Sequence, residues 1–329
     1  MTRSTVLVTG ATGFTGGHLC ERLVGDGHCV RALVRDAGRA SRLRELGVEL
    51  AVGDLCQPHS LERATEGVEL VYHIGALFRP ENVTRRQLTE TNVDGTRHLL
   101  DAALRSGVRR FVHCSTVGVH GDIRHPPANE DTPFAPGDPY QESKTEGERV
   151  VHRYMADGRL PIVVFRPGGI YGPGDMRFLK LFRAIKTRRF VMLGSGSVQY
   201  QLVYIDDLVD GILLCGQHAA APGNVYILTG EAPVTLRHLV GVIAKVLGVE
   251  PPRLRFPVGP VYVAAFCCEL VFKPLGLNPP LYRRRVDFFR KTRAFDISRA
   301  KRSLGFNPST ALERGVASTA EWYRASGHL

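Results

Sequence analysis

The chain has 329 residues, 43% of them apolar, with 43 Lys and Arg against 32 Asp and Glu and a formal net charge of +11. That size and apolar share suit one large α/β domain carrying a lobe, or two domains. A basic excess fits nucleic acid, anionic lipid or phosphorylated ligands, but zinc-finger spacing and basic, aromatic-rich strands are missing, so neither a nucleic-acid partner nor a metal site is expected.

Residues 6–8 (Val-Leu-Val) read as a buried parallel strand, and residues 18–24 as a helix with Leu19, Leu23 and Val24 on one face. Between them runs Thr9-Gly10-Ala11-Thr12-Gly13-Phe14-Thr15-Gly16. A glycine turn between strand and helix marks a dinucleotide site. A pyrophosphate needs backbone N–H groups and a helix N-terminus aimed at it. Side chains at Gly10, Gly13 or Gly16 would hinder the turn, the approach of the phosphate or the packing of helix on strand. Residues 29–34 form the second strand, followed by Arg35 and Asp36. Folds that prefer NAD place a carboxylate at this strand end for the ribose 2′-hydroxyl. Here the slot holds Val34 or Arg35, and a guanidinium pairs bidentately with a 2′-phosphate. NADP(H) is therefore favoured, and Asp36 next door leaves NAD(H) open.

Residues 48–52 and 70–73 are the third and fourth strands, ending at Gly53-Asp54-Leu55 and Ile74-Gly75-Ala76. Asn92-Val93-Asp94-Gly95-Thr96 opens a helix, and residues 109–114 are the fifth strand. Residues 123–139, rich in Pro, Asp and Asn, read as a long loop of the kind that frames a site. Asp138-Pro139 supplies an N-cap and a first-turn proline, so a helix begins there with Tyr140 and Lys144 on one face. A phenol with a pKa near ~10 exchanges protons poorly at neutral pH, and a fixed ammonium beside it favours the phenolate. Tyr140 becomes the candidate general acid or base, and Lys144 its activator. Ser115 or Thr116, at the end of the fifth strand, is the hydroxyl that would stabilise charge on a substrate oxygen. Residues 161–166 are a sixth strand, leading into Pro167-Gly168-Gly169-Ile170-Tyr171-Gly172-Pro173-Gly174. Residues 202–208 read as a strand entering a helix and 224–229 as another strand. This alternation predicts a doubly wound parallel sheet.

The spacing G-x-x-G-x-x-G, the pair Tyr140-x-x-x-Lys144, residues 167–174 and the closing runs 295–301 and 304–308 resemble the extended short-chain dehydrogenase/reductase superfamily, the NAD-dependent epimerase/dehydratase family. The resemblance runs from residue 5 to about 325. It implies a Rossmann-type domain from residues 1–172 and about 197–230, and a smaller substrate lobe from about 173–196 and 231–329. It implies cofactor contacts from Gly10, Thr12, Gly13, Phe14, Gly16, Arg35, Asp54 and Leu55. Ile74, Gly75 and Ala76 would pass under the cofactor, with Gly75 for the usual Ala as a small change. Asn92 would brace two central strands, and Tyr140, Lys144, Pro167, Gly168 and Ile170 complete the set. The implied catalytic residues are Tyr140, Lys144 and Thr116, the last aligned by Val119-His120-Gly121, with Ser115 in reserve.

The apolar residues 261–272, the Pro-rich turns and Arg283-Arg284-Arg285 look like the 3β-hydroxysteroid dehydrogenase and dihydroflavonol reductase relatives. A ketone reductase or secondary-alcohol dehydrogenase with a sizeable apolar substrate therefore leads. A nucleotide-sugar epimerase or dehydratase with tightly bound NAD, gripping a diphosphate through Arg284, Arg285 or Arg293, is the alternative. A non-catalytic NADP(H)-binding regulatory protein is a third. An apolar helix with a basic flank also admits peripheral membrane contact, although residues 258–272, interrupted by Glu269, fall short of the ~18 residues of a spanning helix. Seven scattered cysteines without C-x-x-C favour a reducing compartment. A strand entered at once leaves no room for a signal peptide, so the expected location is the cytoplasm. The resemblance also implies a homodimer, through a four-helix contact that includes the Tyr140 helix.

Overall fold

The computed structural model describes residues 4–78, 83–272, 274, 277 and 279–329. Seven strands form one sheet: β1 (Thr5–Thr9), β2 (Cys29–Val34), β3 (Glu49–Val52), β4 (Leu70–His73), β5 (Arg110–Cys114), β6 (Ile162–Pro167) and β7 (Val225–Leu228). Their order is β7-β6-β5-β4-β1-β2-β3, and every pairing is parallel. The chain runs outward from β1 through β2 to β3, then crosses back to β4 on the other side of β1. That reversal opens a crevice at the carboxyl ends of the strands, where open α/β sheets bind ligands. Register aligns those ends: Thr9 stands opposite Leu33 and His73, and His73 opposite His113.

Both faces of the sheet are buried, which is why the strands read as apolar runs rather than as an alternation. Val6 and Val8 enter one core with Leu19, Tyr72, Val112, Phe165 and Ile212. Leu7 enters the other with Leu61, Val71, Leu99, Phe111 and Val164. Consecutive strand side chains point to opposite faces. The covering helices include α1 (Phe14–Gly25), α2 (Gly95–Arg105), α3 (Pro139–Asp157) and α4 (Ile205–Gln217). A third core, with Phe182, Tyr200, Leu239, Ile243 and Tyr323, lies in the lobe. There α5 (Leu236–Leu247) packs on α7 (Leu312–Ala325), and α6 (Val258–Phe272) stands at the edge.

Two boundaries differ from expectation. Phe295, Ile297, Ala300, Leu304 and Phe306, assigned from sequence to the lobe, return to the core of the sheet domain. Phe306 packs so tightly on α4 that a Cβ at Gly211 would lie 2.9 Å from its ring. Conversely Val198, Tyr200 and Leu202 belong to the lobe core. The helix expected to open at Asn92 starts earlier, at Arg85–Thr89, because Thr84 and Gln87 form a reciprocal capping box. It passes through a π-helical turn, Glu90–Asp94, before α2.

Candidate active site

The glycine turn is tight. Gly13 donates to the Gly10 carbonyl at 3.0 Å, and Gly10 has φ +70°, in the left-handed region. A Cβ at Gly16 would sit 2.3 Å from the Gly10 oxygen, and one at Gly10 would sit 2.7 Å from the Cα of Gly75. Gly75 is therefore not a small change from Ala: its own Cβ would meet the Thr9 Oγ1 at 2.9 Å. Gly13 caps α1 without a side chain, so the N–H groups of the first turn face outward. Thr12 is exposed on this turn. Phe14 stacks edge-on against His18, whose Nε2 lies 2.9 Å from the Pro173 carbonyl, tying α1 to the loop after β6.

A relay of hydrogen bonds fixes the neighbouring strand end. The Gly75 N–H donates to Thr9 Oγ1 at 2.9 Å, Thr9 Oγ1 lies 2.8 Å from His73 Nδ1, and His73 Nε2 lies 3.0 Å from Thr96 Oγ1. Thr96 donates onward to the Asn92 carbonyl at 2.8 Å. The direction of the chain makes His73 a neutral ring protonated at Nε2. Burial, with the Lys144 charge beside it, pushes its pKa down to about 3. His73 is structural.

Asn92 holds the exit of β4 in place through its side-chain amide. Its Oδ1 accepts from the Leu77 N–H at 2.7 Å, and its Nδ2 donates to the Leu77 carbonyl at 3.1 Å and to Ser143 Oγ at 2.9 Å. It braces the exit of β4 against α3, not two central strands. The π turn brings it there, close enough to α3 that a Cβ at Gly147 would lie 2.5 Å from the Asn92 oxygen.

Helix α3 starts as the sequence predicts: Asp138 caps the Gln141 N–H at 2.9 Å, with Pro139 in the first turn. It carries Tyr140 and Lys144 to the ends of β4 and β5. Tyr140 is half-buried and meets Phe78 edge-on, ring centroids 5.0 Å apart. Lys144 is buried, its Nζ 2.7 Å from the Cys114 carbonyl at the end of β5, and burial lowers its pKa.

Ser115 and Thr116 diverge. The Ser115 hydroxyl donates to the buried Glu148 carboxylate, away from the crevice. Arg166 binds the same carboxylate, Nη2 to Oε1 at 2.5 Å and Nε to Oε1 at 3.0 Å. Its Nη1 donates to the Glu130 carbonyl at 2.8 Å and to His120 Nε2 at 3.1 Å. Burial would raise the Glu148 carboxyl, but His152, Arg166 and Ser115 together hold it down at about 2. Sequence reasoning missed Glu148. The signal was available, four residues after Lys144 on the same helix face. Thr116 instead lines a cavity of about 530 Å³ together with Tyr140, Gln141 and Gly168.

The rest of this cavity is walled by the lobe, together with Phe295 of the sheet-domain core. Phe178, Tyr200, Leu202, Phe288 and Phe295 line it, with Gln201, Asp287, Lys291 and Arg293. Lys291 is 3.5 Å from both Asp122 and Asp287. Arg293 lies over the Tyr200 ring at 5.1 Å, and no carboxylate pairs with it among the described residues. Arg285 stays outside, exposed on the Tyr282 ring and donating to the Pro280 carbonyl. The side chain of Arg284 lies outside the described residues. Tyr171 is core: it packs edge-on against Tyr204 and leaves no room for a Cβ at Gly315.

The profile of the NAD dependent epimerase/dehydratase family matches residues 6–228. The chain belongs to that family. It is 33% identical to sterol demethylase protein B of Methylococcus capsulatus, across 99% of this chain and 100% of that one. The crystal structure of gox2253 superimposes with a TM-score of 0.85 at 30% identity, covering 99% of this chain and 100% of that one. MoeE5 in complex with UDP-glucose and NAD does so with a TM-score of 0.77 at 25% identity, covering 98% and 99%. Further relatives are named as dehydrogenases and ketoreductases. The chain is an enzyme of this NAD(P)-dependent short-chain dehydrogenase/reductase superfamily.

The crevice of this family member fits a dinucleotide. The uncapped start of α1 and the N–H groups of the Gly10–Gly16 turn suit a pyrophosphate. Asp54 and the buried Leu55 stand at the end of β3, and Ile74, Gly75 and Ala76 at the end of β4. Pro167 ends β6, Gly168 and Ile170 follow it, and the Ile170 carbonyl accepts from Arg177 at 2.7 Å. Arg35 is exposed at the end of β2, while the Asp36 carboxylate turns back to accept from the Gly38 N–H at 2.8 Å.

Proposed function

We propose that this enzyme is an NADP(H)-dependent ketone reductase or secondary-alcohol dehydrogenase acting on a sizeable, largely apolar substrate. The observation that carries this reading is the cavity itself, lined by Tyr140 and Thr116 together with four aromatic or aliphatic side chains of the lobe and Phe295 of the sheet-domain core. Bound in the crevice, a nicotinamide supplies the hydride donor or acceptor that the side chains lack. Tyr140 hydrogen-bonds the substrate oxygen and gives it a proton during reduction, or takes one during oxidation. Thr116 holds the same oxygen and stabilises its developing charge. Lys144, anchored on the Cys114 carbonyl, keeps a positive charge near that phenol and offers its remaining N–H bonds to a ribose. Arg35 favours the 2′-phosphate of NADP(H), with Asp36 occupied in its own turn.

Arg293 supports a second reading. A guanidinium on the cavity lining that meets the Tyr200 side chain but no carboxylate among the described residues suits an anionic substrate group such as the diphosphate of a nucleotide sugar, and MoeE5 is a relative holding UDP-glucose. Assays of cyclic ketones and secondary alcohols with NADPH or NADP+, beside UDP-sugars, separate the two. Turnover of the carbonyl set, with a cofactor that exchanges freely, is the expected result. Purified protein retaining NAD and interconverting UDP-sugars would replace the first reading with the second. Tyr140→Phe should reduce turnover by about 10²–10⁴-fold with NADPH affinity kept, and unchanged turnover would remove Tyr140 from its role.

A further inference from the structure

Helix α6 inverts the usual arrangement of a surface helix. Its exposed positions recur at i, i+1, i+3, i+4, i+7 and i+8 from Val263, which is one continuous face. They are Val263, Ala264, Phe266, Cys267, Leu270 and Val271, none of them charged. Val263 and Leu270 are 59% and 58% exposed. The one charged residue of the helix, Glu269, turns inward. It is 7% exposed and accepts from the Arg283 backbone N–H at 2.7 Å and from the Arg283 guanidinium at 3.0 Å. Leu254 and Phe256, in the segment just before the helix, and Leu277 after it are exposed as well. An apolar patch of this extent marks a contact with a protein or a membrane.

Charge selects between these. Residues 250–293 contain nine Lys and Arg but three Asp and Glu. Arg285 and Arg290 are exposed beside the helix, Arg290 covering the Tyr262 ring at 4.1 Å, and Arg255 is exposed in the short strand just ahead of it, with Arg253 there paired to Glu250. A twofold contact between copies would set these cationic rims against each other, whereas an anionic bilayer attracts all of them and takes up the apolar face between. The helix has 15 residues, about 22 Å at 1.5 Å per residue, too short for a hydrocarbon core of ~30 Å. No helix among the described residues is long and apolar enough to cross a membrane.

We propose that the outward face of α6, with its arginine rim, seats the enzyme on an anionic lipid surface as a peripheral protein, without crossing it. The helix packs on residues Arg283–Asp287, which run on into Phe288, Lys291 and Arg293 of the cavity lining, so the seat adjoins the site. The membrane contact stands independently of the substrate reading.

The full chain is floated with vesicles of phosphatidylcholine alone and of phosphatidylcholine with phosphatidylglycerol, at low and high salt. Binding to the anionic vesicles, weaker at high salt, is expected. The variant Phe266→Glu/Leu270→Glu should lose that binding by about a hundredfold or more, with melting temperature and NADPH affinity unchanged, since both side chains are exposed. Absence of wild-type binding to either vesicle overturns the proposal. So does a wild-type dimer in sedimentation velocity that the double variant converts to monomer without any vesicle binding, which would make a second copy the occupant.

Discussion

Replacing Arg166 by Met keeps the length of the side chain and deletes its charge from beneath the site. Both partners of the Arg166–Glu148 pair are out of solvent, at 3% and 0% side-chain exposure. Breaking a buried pair by removing one partner costs about 3–5 kcal/mol, because the other charge is stranded. The carboxylate's own titration reflects the same surroundings, with His152, Arg166 and Ser115 acting together against burial. The Glu148 carboxyl is held at about 2 rather than its ordinary 4.5, a displacement equivalent to roughly 3 kcal/mol. In the wild type the folded-state value is depressed, so this stabilisation is present above about pH 4.5 and is lost as pH falls towards 2. In Arg166→Met, burial acts on Glu148 against only Ser115 and His152, so its pKa rises and the sign reverses. Relative to wild type, the variant regains stability on acidification. Glu148→Gln added to Arg166→Met removes the stranded charge and should recover most of the loss. Urea unfolding of the wild type, both single variants and the double variant at pH 7 and 5 measures this. Coupling below about 0.5 kcal/mol, or a variant that weakens further against wild type on acidification, would refute the argument.

The remaining expectations test separate parts of the site. Gly16→Ala forces a Cβ to within 2.3 Å of the Gly10 oxygen, and should cost about 1–3 kcal/mol in stability and most of the dinucleotide affinity by calorimetry; an unchanged affinity would mean the turn is not the phosphate seat. Arg35→Glu should weaken NADPH by about tenfold or more while sparing NADH, and equal effects on both would remove the proposed cofactor preference. His73 is held neutral, with its pKa near 3 against an ordinary 6.5, so the unfolded chain binds its proton first. Stability should therefore fall as pH drops from 6.5 towards 3, by up to about 1.4 kcal/mol per pH unit from this group, and His73→Asn should flatten that slope in urea titrations.

Local chemistry determined a good part of this protein. Strands buried on both faces run as near-continuous apolar stretches, so β2, broken only by Arg31, and β4, closing on His73, were readable to the residue. The Gly10–Gly16 turn, the Asp138-Pro139 helix start and the Tyr140–Lys144 spacing are short-range features that depend on neighbours in the chain. Ser115 and Thr116 show where this ends. Adjacent residues in extended backbone point to opposite sides, and only the place of Glu148, 33 residues on, decides that Ser115 faces inward and Thr116 the cavity. Asn92 reaches Leu77 and Ser143 because a π turn forms, and Gly75 is required because β1 and β4 bring their exit loops together. Arg293 enters the cavity while Arg285 stays outside it, though both sit in the same basic stretch. The apolar run of α6 would suit a core equally well; only the packing of the lobe leaves its face in the open. Residues far apart in sequence meet through the tertiary fold, and what they do to one another is not written in any local pattern.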